Sequence, residues 1–196
     1  MPENSTPTRG VPHADPRSPY VFDLRELGRR AGSLKHYRRS VPAPAIVGPQ
    51  LIAVPSGAVV RLDVRLESVT EGVLVTGSVT APVSGECARC LEPVRDELAV
   101  ELCELFAYPD SATDRTTEEE EVHRVDGDYL DVEPVVRDAV VLGLPFTPLC
   151  RPDCAGLCPT CGGRLDDLPP GHAHEQIDPR WAALASRRDT DTASKE

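Results

Sequence analysis

Residues 59–69 read VVRLDVRLESV, with Val60, Leu62, Val64 and Leu66 on one side of a two-residue period and Arg61, Asp63, Arg65 and Glu67 on the other. Such alternation predicts a strand with one face in a core and the other in water. The turn at 70–72 leads into a second run rich in β-branched residues, VLVTGSVTAPV. A third run, DELAVELCELF, places Leu98, Val100, Leu102 and Phe106 on one face. Successive runs of this kind predict an antiparallel meander. Further on the period changes. Asp131 and Pro134 stand where a helix would be capped and opened, and Val136, Ala139, Val140 and Gly143 share its apolar face up to Pro145. A last short helix is expected from Asp178 and Pro179, burying Trp181 and Leu184.

Before the meander, FDLRELGRR allows a short strand or helix with Asp23 as a cap, and VPAPAIVGP reads as an extended, proline-punctuated linker. Residues 1–19 and 186–196 are polar, lack periodicity and read as disordered tails. Residues 20–185 then form a single domain. The expected class is α+β: an antiparallel β-meander or small partly open barrel with a few short helices, and a C-terminal segment at 150–185 rich in Cys and His.

Aromatic residues make up only 4% of the chain, so valine, leucine and alanine must fill the core. The net charge of -11 argues against a general nucleic-acid coat protein, which neutralises phosphates with Lys and Arg. That average hides a polarity. Residues 25–39 carry Arg25, Arg29, Arg30, Lys35, Arg38 and Arg39 against Glu26 alone, whereas residues 110–133 carry ten acids against Arg115 and Arg124. The acidic stretch TTEEEEV is too charged to pack and reads as a mobile loop. The basic run can focus a local field despite the overall sign.

Seven cysteines raise the question of compartment. The N-terminal residues lack an apolar signal core and no stretch approaches the roughly 18 apolar residues of a membrane span, so the expected location is the cytoplasm, where disulfides rarely persist. Closely spaced thiols there point to metal or redox chemistry. Cys87 and Cys90 form one Cys-x-x-Cys unit; Cys158 and Cys161, in CPTCGG, form another, with Gly162 available for a positive φ. Cys150 and Cys154 are separated by three residues, and His172 and His174 by one. These eight donors suit two tetrahedral zinc sites. Cys103, mid-strand among apolar neighbours, is expected to be an inert buried thiol. A thioredoxin-like dithiol would open a helix in a βαβ unit, whereas β-runs flank Cys87 and Cys90. The histidines follow the cysteines rather than preceding them as H-x-E, and HExxH, P-loop, GxSxG and GxGxxG patterns are absent. Zinc with four protein ligands leaves no open position for water, so the residues favour a non-enzymatic scaffold without a small-molecule substrate.

The segments GECARCLEP, LDVEPVVRDAVVLGLP, PLCRPDCAGLCPTCG and DPRWAAL, in that order, resemble the YceD-like family of large ribosomal RNA subunit accumulation proteins, particularly its actinobacterial branch. The likeness spans residues 20–185. It implies a non-enzymatic cytoplasmic bacterial factor in ribosome biogenesis, with large-subunit ribosomal RNA or a pre-ribosomal particle as its partner and a ribosomal protein as a further one. It also implies a pairing of ligands: Cys87, Cys90, Cys150 and Cys154 at one structural zinc, and Cys158, Cys161, His172 and His174 at another. His-x-His here stands where other members often carry Cys-x-Cys. Direct contact with RNA would fall to the basic run, Arg25, Arg29, Arg30, Lys35, Arg38 and Arg39. The residues also leave open a zinc-ribbon regulatory module that binds a protein partner, and a thiol redox protein.

Overall fold

The computed structural model describes residues 13–109, 111–116 and 122–174. The chain divides into two compact units, Met1–Cys150 and Arg151–Glu196. In the first, the described strands are β1 (Val21–Asp23), β2 (Leu34–Pro42), β3 (Ile52–Ala53), β4 (Val59–Ser68), β5 (Gly72–Glu86), β6 (Pro93–Ala107), β7 (His123–Arg124) and β8 (Tyr129–Asp131). The helices are α1 (Ala112–Thr116) and α2 (Glu133–Gly143).

The three alternating runs become β4, β5 and β6, paired antiparallel in chain order. Leu62 lies opposite Val79 and Leu66 opposite Val75, so both strands turn the same apolar side inward. Val64, Leu66, Val73 and Val75 are fully buried. Each such side chain contributes about 1.5–3 kcal/mol when removed from water. The sheet runs β2-β4-β5-β6-β7, with β3 also on β5. It is not closed into a barrel: β2 and β7 are its two ends, and β7 adds only two residues, parallel to β6. The expected antiparallel meander is present, and the sheet forms no closed barrel.

β2 takes up the later half of the basic run, Lys35, Arg38 and Arg39. Its register against β4 puts Lys35, Tyr37 and Arg39 opposite Leu66, Val64 and Leu62, on the core side, and His36, Arg38 and Ser40 on the water side. FDLRELGRR resolves into β1, paired with β8, and Asp23 accepts the Arg25 N–H at 2.9 Å as the cap expected of it. The proline-rich 41–49 segment begins inside β2 and is then held by a two-way bridge between Val47 and Val54. Residues 13–19 include a turn in which the Ser18 N–H donates to the Asp15 carbonyl at 2.9 Å.

α2 opens one residue later than the sequence suggests. Val132 is the N-cap residue and makes no side-chain cap bond, while the Asp131 carboxylate accepts the Glu133 N–H at 2.9 Å. Val135, Val136 and Val140 are its buried residues. At Gly143 a Cβ would meet Val100 Cγ1 at 2.4 Å, so the missing side chain lets the helix end lie close on β6. Cys103 overturns its expectation: the parity that turns Leu102 inward turns Cys103 outward, and it is exposed. The acidic stretch at 117–121 and the helix expected around Trp181 lie outside the described residues. Among the described residues no helix is long and apolar enough to cross a membrane.

Candidate metal centres

β5 and β6 pair along their whole length, from Gly72 opposite Ala107 to Glu86 opposite Pro93, and the six residues that connect them carry Cys87 and Cys90. The Leu91 N–H donates to the Cys87 carbonyl at 2.9 Å and the Cys87 N–H to the Glu92 carbonyl at 2.8 Å. These bonds curl the turn so that further N–H groups face sulfur. Burial works against a thiolate at Cys87, but the N–H groups of Cys150, Arg89 and Cys90, with the Cys90 thiol, outweigh it and bring the thiol from 9.0 down to about 6. α2 delivers the third sulfur. Beyond the helix the Pro148 carbonyl accepts the Ala88 N–H at 2.8 Å, which ties the segment leading to Cys150 onto the turn. Cys90 and Cys150 sulfurs are 3.5 Å apart, and the sulfurs of Cys87, Cys90 and Cys150 all lie within 4.8 Å of one another. Cys154 belongs to the second unit, where its N–H donates to the Arg151 carbonyl at 3.2 Å.

The second unit repeats the turn 71 positions further on, at the offset from Cys87 to Cys158. The Gly162 N–H donates to the Cys158 carbonyl at 2.9 Å and the Cys158 N–H to the Gly163 carbonyl at 2.8 Å. N–H groups of Cys161 and Thr160 favour the Cys158 thiolate, outweigh burial and, with His172 and Cys161 side chains, bring this thiol too to about 6. The imidazoles close the group: Cys161 Sγ lies 3.5 Å from His172 Nε2, and His172 Nε2 lies 2.9 Å from His174 Nε2, the rings meeting edge to face. All four donor atoms of Cys158, Cys161, His172 and His174 fall within 4.8 Å of one another. Cys158 is buried, Cys161 and His174 are exposed.

Both groups fit a metal on the chemistry of their donors. Thiolate and imidazole are zinc's usual ligands, and bonds of about 2.3 Å to sulfur and 2.0 Å to nitrogen put tetrahedral donors about 3.3–3.8 Å apart. The Cys90–Cys150 and Cys161–His172 separations of 3.5 Å fall in that range, and the His172–His174 distance of 2.9 Å lies just below it. N–H groups aimed at sulfur stabilise thiolates whether the ion is zinc or another soft-liking metal.

The comparison of the two turns exposes a strain that the sequence does not announce. Gly162 has φ 71°, the left-handed value glycine tolerates; its counterpart Leu91 has φ 63° and is the one non-glycine residue with positive φ among those described. A non-glycine residue there costs on the order of 1 kcal/mol. Leu91 is 57% exposed, so little packing is lost with its side chain. Leu91→Gly is expected to leave metal content unchanged and stability equal or up to about 1 kcal/mol higher, since the glycine's extra unfolded-state freedom offsets part of the relief. Gly162→Val should lower stability by about 1–2 kcal/mol. Denaturant unfolding of the metal-loaded protein checks both.

The basic run is not brought together as one surface. Arg25 is paired with Asp23, Lys35 with Glu26, and Arg38 with Asp63 at 2.8 Å. Arg39 belongs to the fold: its guanidinium donates to the Pro19 and Val21 carbonyls at 2.9 and 2.8 Å and stacks 3.9 Å from the Phe22 ring centroid. Arg29 lies over the Tyr108 ring at 5.0 Å, and among the described residues neither it nor Arg30 is paired with a carboxylate. Arg61 and Arg65, opposite Ser40 and His36 across β2 and β4, join Arg38 on the water side and were not among the expected contact residues. Their alternation in VVRLDVRLESV is the signal that could have found them.

No solved structure matches the chain. An uncharacterized protein of Mycobacterium tuberculosis is 59% identical over 167 residues, 85% of this chain and 80% of its own length. An uncharacterized protein of Mycobacterium leprae is 51% identical over 168 residues, 85% and 76% of the two chains. The uncharacterized protein YlbN of Bacillus subtilis is 28% identical over 125 residues, 63% of this chain and 69% of its own. A family model for the large ribosomal RNA subunit accumulation protein YceD matches residues 75–186, from early in β5 through both cysteine turns, and the chain belongs to the YceD family.

Proposed function

We propose that this protein is a non-enzymatic, cytoplasmic factor of ribosome biogenesis that supports accumulation of large-subunit ribosomal RNA, acting on that RNA or on a precursor particle. The family's description carries the reading, and it names an rRNA phenotype rather than a reaction. Two structural zinc ions hold the scaffold: one on Cys87, Cys90 and Cys150, with Cys154 as fourth ligand by its spacing from Cys150, and one on Cys158, Cys161, His172 and His174. With four protein ligands each, neither zinc has an open position at which to activate water. Both sites are therefore fold elements. The cations of residues 25–39 that are not consumed by the fold contribute contacts to phosphate. A zinc-supported module that binds a ribosomal protein instead is the second reading, favoured by the exposed Leu142 and Phe146 at and beyond the end of α2. The test is the ratio of large- to small-subunit ribosomal RNA in cells depleted of the protein, for which a fall is expected.

A further inference from the structure

We infer that the water-facing side of β2, β4 and β5 is a contact surface for the phosphodiester backbone of RNA, centred on Arg38, Arg61 and Arg65. This rests on the rRNA reading above and names the surface through which it works. Pairing sets Ser40 opposite Arg61, Arg38 opposite Asp63 and His36 opposite Arg65, so the three guanidiniums share one face across two strands. On the far side of β4, Arg61, Asp63 and Arg65 face Thr80, Ser78 and Thr76 of β5. Arg61 and Arg65, four residues apart on one strand, are separated by roughly 13 Å, enough for each to meet a different phosphate of one strand. From Gly72 to Gly85 β5 contains no acid, and its outward row presents hydroxyls. Arg38, Ser40, Arg61, Asp63, Ser78 and Thr80 line a groove of about 370 Å³ on this face.

Acids share this face with the arginines. Asp63 accepts from both His36 and Arg38, Glu97 of β6 meets Arg61, and Arg65 has no ion pair among the described residues. Glu67 is the other acid on the outward side of β4, and Glu101 of β6, opposite Ser78, lies on the same face; neither has an ion pair among the described residues. Ion pairs as exposed as Arg38–Asp63 and Arg61–Glu97 are worth little in water. A phosphate, which accepts two parallel N–H bonds from a guanidinium, can replace those carboxylates at small loss. Hydroxyls beside the arginines, on β5, suit a chain of repeated single charges with sugar oxygens, rather than one concentrated acidic cluster.

The experiment is equilibrium binding of the full-length, metal-loaded protein to a large-subunit ribosomal RNA transcript over a range of salt. Wild-type affinity should fall linearly on a log–log plot. Arg61→Gln with Arg65→Gln should flatten the slope by about 1.4 and weaken binding at 0.1 M salt by on the order of tenfold or more, since each single-strand phosphate contact contributes about 0.7. Arg61→Lys with Arg65→Lys should keep the wild-type slope. Arg65→Gln alone, at a position without an ion pair, should take half the effect and guards against loss of fold. An unchanged slope in the glutamine double variant, or wild-type binding that ignores salt, overturns the inference. Either outcome leaves the accumulation reading standing if depletion still lowers large-subunit RNA, so the two can fail separately.

Discussion

Metal-replete protein, purified reduced and without chelators, is expected to carry two zinc ions per chain, and Cys158→Ser only one. Structural zinc sites of this kind supply on the order of 10 kcal/mol of apparent folding free energy, because the unfolded chain has no preformed site. Stripping the metal should therefore unfold residues 150–174, a stretch with no helix or strand longer than an isolated bridge. The effect of Cys87→Ser reaches further along the chain. Its turn holds the Pro148 carbonyl as well as its own loop, so hydrogen exchange should quicken over the 150–154 loop as well as over residues 85–92. Native mass spectrometry and exchange together decide this. One zinc or none in the wild type would end the two-site account, and a purely local exchange change in Cys87→Ser would point to a site built from the C-terminal cysteines alone.

Phe22→Ala should be the most damaging single substitution outside the cysteines, lowering stability by about 3–5 kcal/mol and the Tm by roughly 10 °C. Phe22 is fully buried, meets the Tyr37 ring edge to face with centroids 5.0 Å apart, and lies under the Arg39 guanidinium. Truncation thus opens a cavity and removes the surface on which Arg39 packs. Arg39→Ala should destabilise less than Phe22→Ala but more than Arg38→Ala, whose side chain is exposed and holds only a surface ion pair. Thermal unfolding of the three variants, metal-loaded, gives the order. Arg39→Ala as harmless as Arg38→Ala would return Arg39 to the pool of surface cations.

The meander was legible because valine and leucine alternate with charge over 59–69 and continue in period two, a local signal that needs no partner strand. β2 was not, because its inward side holds Lys35, Tyr37 and Arg39 rather than aliphatic residues. An edge strand whose long side chains cover apolar neighbours with their stems looks in sequence like a charged patch. β1 and β8 have three residues each and find each other 108 positions apart, Phe22 opposite Leu130, which no window of sequence can see. At the candidate sites, Cys-x-x-Cys spacing pointed to Cys87, Cys90, Cys158 and Cys161, which the structure groups with further potential donors. Leu91 gave no sign of its left-handed backbone, since that conformation is imposed by the two hydrogen bonds of the turn and not by the residue. The composite of Arg38, Arg61 and Arg65 depends on strand register, so a run of cations along the chain was a poor guide to cations on a surface.

The measurement closest to the central claim is the ratio of large- to small-subunit ribosomal RNA in cells from which the protein is depleted, with wild type or Cys87→Ser supplied in its place. The account predicts that large-subunit RNA falls relative to small-subunit RNA on depletion, that wild type restores the ratio and that Cys87→Ser does not. A ratio that stays constant while the protein is lost would contradict it.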